Sequence, residues 1–131
     1  MIINSSRKAF EVLRKKVNFL QEEVWLLTLD ANLKLMEIDL IFRGTVNECV
    51  IHPRDLVRTV CSRNASAFLL AHNHPSGRVQ PSREDKIVTQ KIVKVSRLLE
   101  VPMQDHLIFS AEKYFSFADK GMYFPMSLYK N

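Results

Sequence analysis

Residues 67–77 read Ala67-Phe68-Leu69-Leu70-Ala71-His72-Asn73-His74-Pro75-Ser76-Gly77. The first five are apolar and fit a short buried strand; Pro75, Ser76 and Gly77 are turn formers that stop it. The strand therefore runs straight into two imidazoles one residue apart. Residues i and i+2 of a strand share a face, so His72 and His74 can converge on one ion, while Asn73 points away and anchors the loop. Asp85 lies just downstream, past a stretch rich in turn formers that ends in a helix start and folds it back toward the histidines. Two imidazoles and one carboxylate hold a divalent metal and leave a fourth position for water, as catalytic zinc sites do. A divalent cation held by His72, His74 and Asp85 is the expected cofactor.

Asp85 also has a structural explanation. Ser82-Arg83-Glu84-Asp85 is close to a capping box, with Ser82 as N-cap, and acids in a first helical turn are favoured by the helix dipole. The two roles are compatible, because a capped helix start holds its side chains rigidly.

Working outward, Ser5-Ser6 caps a first helix on which Phe10, Leu13, Val17 and Leu20 recur at helical spacing. Residues 24–29 read as a buried strand ended by the turn Asp30-Ala31-Asn32, and residues 35–42 as a second strand that stops at Arg43-Gly44. Pro53 suits the first turn of a helix covering Leu56, Val57, Val60 and Cys61. Ser82 opens a long helix with Ile87, Ile92, Val95 and Leu99 among its apolar positions. Residues 105–109 and 114–117 make two more short strands, with Trp25, Tyr114, Phe115 and Phe117 as core aromatics. Strands alternating with helices predict a layered α/β domain with a mixed sheet. The histidines then sit at a strand-to-helix crossing, where ligand sites of open α/β sheets gather.

The bulk composition agrees. The chain has 131 residues, 47% hydrophobic and 25% charged, which suits one globular domain. No apolar run approaches the roughly 20 residues of a membrane span, and the first residues lack the apolar block of a secretion signal. A cytoplasmic location and no membrane partner are expected. Cys49 and Cys61 form no CxxC pair and are expected to be free thiols. The net charge of +5 permits nucleic-acid contact without establishing it. Much of the excess lies in residues 7–16 and 83–97, which read as solvated helix faces.

The residues resemble a known family. His72-x-His74, seven residues, Ser82, two residues and Asp85 match the JAMM (MPN+/JAB) metal motif. His72-Asn73-His74-Pro75-Ser76-Gly77, Pro81-Ser82-Arg83-Glu84-Asp85, Asp105-His106-Leu107-Ile108, Arg43-Gly44-Thr45 and His52-Pro53-Arg54 are similar to signatures of its RadC subgroup. The resemblance runs from about Gln21 to Phe117. It implies a three-layer α-β-α sandwich with a mixed central sheet, of JAB/MPN type and related to cytidine deaminases. It implies one such domain over residues 1–131, with 1–20 as an N-terminal helix and 120–131 as a C-terminal tail. Deaminase chemistry is not expected, since the His-x-Glu and Pro-Cys-x-x-Cys elements are absent.

The resemblance further implies a catalytic glutamate at the start of the first strand. Glu22 falls at the family's position; Glu23, facing the opposite side, is the alternative. The implied chemistry is zinc-dependent amide or isopeptide hydrolysis, with Glu22 as general base and the Ser82 hydroxyl donating to the oxyanion. The substrate is expected to be a peptide or isopeptide. A second reading is a DNA-repair or mobile-element accessory protein that binds DNA or a repair partner, its zinc structural or vestigial. A third is a scaffold with purely structural zinc. His106, on a strand neighbouring the site, reads first as a buried histidine bonded to Asp105 and second as a residue of the site, and His52 as setting the turn before Pro53. Longer RadC proteins carry an N-terminal helical region like helix-hairpin-helix DNA-binding modules, and here about twenty residues precede the first strand. Arg78 and Val79 stand where relatives often have an acid and a proline, making the metal loop more basic. The strand edges and the apolar tail Met122-Tyr123-Phe124-Pro125-Met126 offer a homodimer surface.

Overall fold

The computed structural model describes residues 1–44 and 51–124. Its elements run α1 (Ser6–Leu13), β1 (Glu22–Leu29), β2 (Leu35–Gly44), α2 (Pro53–Ser62), β3 (Ala67–Asn73), α3 (Arg83–Leu99), β4 (Met103–Phe109) and β5 (Tyr114–Ser116). The strands form one five-stranded sheet in the order β2-β1-β3-β4-β5. Among the described residues only β3 and β4 pair in parallel, and α3 is the crossover between them; the other pairs are antiparallel.

The expected three layers are present. Strand alternation sends one set of side chains to each face. Trp25, Leu27, Leu29, Leu69, Ala71, Leu107 and Phe109 pack against Ala9, Phe10 and Leu13 of α1. Val24, Leu26, Phe68, Leu70 and Ile108 pack on the other face against Leu56 and Val60 of α2 and Ile92 and Val93 of α3. β3 is buried along its whole length, as a central strand covered on both faces must be.

Local chemistry explains the boundaries. The Ser5 hydroxyl accepts the Lys8 amide at the start of α1. The helix ends at Leu13 and does not reach residue 20. Asn18 accounts for this: its side chain accepts the Leu20 amide, its carbonyl accepts the Gln21 amide, and its own amide bonds to Glu23. Those turn bonds compete with helix. Val17 still packs against the α1 core, whereas Leu20 is 83% exposed. Pro53 occupies the first turn of α2, with His52 as its extended N-cap.

On α3 the core-facing residues are Thr89, Ile92, Val93 and Ser96, while Ile87 is exposed. The lysines and arginines of α1 and α3 lie in solvent, as expected. Trp25 and Phe117 are buried; Tyr114 and Phe115 pack half-buried against the core. Phe124 is buried, and Met122 and Tyr123 pack against the same cluster, so this part of the apolar tail covers the chain's own core. Pro125, Met126, Thr45 and Cys49 lie outside the described residues. Cys61 is an exposed free thiol. Among the described residues, no helix is long and apolar enough to cross a membrane.

Candidate metal centre

His72 is the last residue of β3 on the α2/α3 face, following Phe68 and Leu70 at every second position. His74 lies just past the strand, where the His74 carbonyl accepts the Gly77 amide at 2.9 Å and closes the turn. Gly77 has φ of +85°, a left-handed conformation that strains any residue with a Cβ. The chain then reaches α3, whose start is a complete capping box. Ser82 Oγ accepts the Asp85 amide at 3.0 Å, and Asp85 Oδ2 accepts the Ser82 amide at 2.8 Å.

These three elements bring the expected ligands together. His72 Nε2 lies 3.1 Å from Asp85 Oδ1, and His74 Nε2 lies 3.3 Å from Asp85 Oδ2. The two Nε2 atoms are 3.2 Å apart. Each residue offers one ligand atom, all within 4.8 Å of one another, so the group can hold a metal ion. The donor set fits: imidazole nitrogens and a carboxylate suit zinc, and three protein ligands are the usual count of a catalytic site. His74 Nδ1 donates to the Arg78 carbonyl at 3.0 Å, which leaves Nε2 as the lone-pair nitrogen.

The electrostatics reflect this crowding. Burial pushes the Asp85 carboxyl up, but hydrogen bonds from His72 and His74 more than cancel it, holding the group well below the usual carboxylate range. The bond to Asp85 raises His74 above its ordinary value, against the opposing effect of burial.

The two candidate glutamates part company. In the β1–β3 register Val24 faces His72, and continuing it by two residues sets Glu22 opposite His74. Burial raises the Glu22 carboxyl above its ordinary value; the charges of His72 and His74 pull it down and that of Asp85 adds to the rise. Glu23 points to the other face and is fully buried. Its carboxylate accepts from Trp25 Nε1 at 3.0 Å, Arg43 Nε at 2.8 Å and the Asn18 amide at 3.1 Å. Glu23 thus ties the segment before β1 to the sheet.

The RadC-like JAB domain family matches residues 3–122. The chain belongs to that family. It is also 36% identical over 122 residues to a UPF0758 protein of Pseudoalteromonas translucida (strain TAC 125), covering 92% of this chain and 54% of the relative. The chain thus spans about half the length of that curated relative.

Within this RadC-like JAB domain, Asn73 does point away from the histidines, but it anchors β1 and not the metal loop. Its Nδ2 donates to the Gln21 carbonyl at 2.8 Å, and its Oδ1 accepts the Glu23 amide at 2.9 Å. Beside His74 a cleft of about 370 Å³ is lined by Phe19, Pro75, Gly77, Ser110, Glu112 and Lys113, among others.

Both readings of His106 meet in the structure: it is buried and bonded to Asp105, and its ring lies beside the candidate ligands. Asp105 accepts the backbone amide of His106 at 2.7 Å, together with the Ser116 hydroxyl and the Ala118 amide. The His106 ring faces the metal centre: Nε2 is 2.9 Å from His72 Nδ1, and Nδ1 contacts the Thr89 hydroxyl. Burial holds His106 well below its ordinary value, and the neighbouring His72 charge lowers it further. Thr89 was missed. The available signal was its position four residues after Asp85, the spacing at which a helical Thr hydroxyl reaches a carbonyl; Thr89 Oγ1 donates to the Asp85 carbonyl at 2.6 Å.

Proposed function

We propose that this domain is a zinc-dependent metallohydrolase that cleaves peptide or isopeptide bonds in the cytoplasm. The observation that carries the reading is the convergence of His72 Nε2, His74 Nε2 and the Asp85 carboxylate beside the half-buried Glu22. Family membership supports it. Zinc bound there supplies Lewis acidity, which lowers the pKa of a water toward about 7 and polarises a substrate carbonyl.

The side chains account for the remaining steps. Glu22 accepts the proton of the attacking water at a carboxylate oxygen and passes it to the leaving amine. Its carboxyl, half-buried at the strand start beside the histidines, is placed for both halves of that transfer. Ser82 Oγ accepts the Asp85 amide, so its own proton is free to be donated to the developing oxyanion. The cleft beside His74 is the region through which the acyl part of the substrate approaches.

The test is zinc content and peptidase turnover of the purified chain. Glu22→Gln is expected to keep the zinc and lose turnover; unchanged turnover rejects Glu22 as the base.

One observation favours the alternative reading, an accessory protein that binds DNA or a repair partner, its zinc structural or vestigial. Arg83, Lys86, Lys91, Lys94 and Arg97 are all exposed along α3. A DNA shift lost steeply between low and moderate salt would support phosphate contact there.

A further inference from the structure

A chain of four groups runs from one candidate ligand to another through the buried interior. His72 Nδ1 meets His106 Nε2 at 2.9 Å, His106 Nδ1 meets the Thr89 hydroxyl, and Thr89 Oγ1 meets the Asp85 carbonyl at 2.6 Å. His72, Thr89 and His106 are each 1% exposed or less.

The direction of every bond follows from its last member. A backbone carbonyl can only accept, so the Thr89 hydroxyl spends its single proton on Asp85. Thr89 Oγ1 must then accept from His106 Nδ1. A neutral imidazole with its proton on Nδ1 has a bare Nε2, which can only accept. His72 Nδ1 must therefore donate, and in the neutral ring that binds a cation Nε2 is then bare. That bare nitrogen faces His74 Nε2 and Asp85 Oδ1. Phe117, stacked on the His106 ring at 5.1 Å, fixes the plane in which that ring can bond.

We propose that His106 and Thr89 are positioning residues that hold His72 in the Nδ1–H tautomer, so that Nε2 is presented to a cation. The inference rests on the metal-binding reading above and adds a role for two residues outside the ligand set. The relay also runs back to Asp85, so it couples the orientation of the His72 ring to the first turn of α3. Partners that orient a ligating imidazole are typically worth roughly 10–100-fold in metal affinity.

The test compares zinc affinity, by chelator competition, in the full chain and its variants. Thr89→Val keeps shape and removes the hydroxyl; zinc is expected to bind it roughly 10–100-fold more weakly. Thr89→Ser restores the hydroxyl and is expected to restore the affinity. Should Thr89→Val fail to fold, the His106 pair serves instead: His106→Gln presents an amide oxygen to His72 and is expected to bind zinc more tightly than His106→Leu. Imidazole ¹⁵N spectra of the zinc-loaded wild type should show protons on Nδ1 of both His72 and His106. Equal zinc affinity in the wild type and Thr89→Val, or a proton on His106 Nε2, overturns the relay. Zinc binding abolished by His74→Ala but untouched by Thr89→Val overturns the relay alone. A folded wild-type chain that takes up no zinc overturns the metal reading, and the relay with it.

Discussion

The side chain of Asn73 accepts the backbone amide of Glu23 at 2.9 Å, joining the residue between the two histidines to the residue beside Glu22. Its second bond, to the Gln21 carbonyl, makes Asn73 a clamp over the start of β1. With the β1–β3 ladder, this buried amide sets the spacing between the candidate ligands and Glu22. Asn73→Ala strands the Gln21 carbonyl and the Glu23 amide, at a cost of about 1–3 kcal/mol. It is expected to reduce turnover more than zinc affinity. Denaturant unfolding and a zinc titration check this; a variant with wild-type stability contradicts the clamp.

Glu22 and Glu23 should give opposite phenotypes. Glu22 is half-buried beside the candidate ligands and, among the described residues, its side chain makes no hydrogen bond, so Glu22→Gln should retain stability and zinc while losing hydrolysis. Glu23→Ala removes a buried carboxylate that serves Trp25, Arg43 and Asn18. It should cost about 2–3 kcal/mol, the upper range for bonds to a charged group, and leave zinc binding in the folded fraction intact. Thermal melts and metal analysis of the two variants separate them.

Ser82 has a structural and a chemical role that different measurements read. Ser82→Ala removes the N-cap of α3, costing about 1 kcal/mol. It also removes the proposed oxyanion donor, which should lower kcat by about 10²–10³-fold. Ser82→Thr keeps the cap and the hydroxyl and should retain most of both. A Ser82→Ala variant that loses stability but no turnover confines Ser82 to capping.

Asp85 and His74 give the metal-free chain a defined pH dependence. His74 is raised above its ordinary value of 6.5, so its contribution to stability is full below that value and is lost as pH rises through the folded value. Asp85 is lowered from 3.8, so its contribution is present above that value and is lost as pH falls through the folded one. The metal-free chain should be most stable at mildly acidic pH. Zinc competes with the His74 proton, so its affinity should fall about tenfold per pH unit below the folded His74 value. Zinc titrations from about pH 8 to about pH 5 test this; an affinity that stays flat contradicts it.

Much of this was legible in the chain because it lay in local patterns. The His-x-His pair at the end of an apolar strand marked two candidate ligands, and the Ser82–Asp85 spacing marked the capping box that aims the third candidate. The extent of α1 was not legible from periodicity: Val17 and Leu20 continue the helical spacing, but the competing turn bonds of Asn18 depend on Glu23 arriving from β1. The resemblance favoured Glu22 over Glu23, but which of the two faces the histidines needed the register of β1 against β3. The ring partners of His106 were hidden for a similar reason, since β4 meets β3 only through the long α3 crossover. Thr89 looked like an ordinary helical residue until its hydroxyl was seen between His106 and Asp85.

Anomalous diffraction at the zinc edge, on crystals grown with zinc, is the most direct measurement. The expected result is a single strong peak within bonding distance of His72 Nε2, His74 Nε2 and an Asp85 carboxylate oxygen. Zinc located elsewhere on the chain, or no peak with those three side chains turned away from one another, contradicts the account.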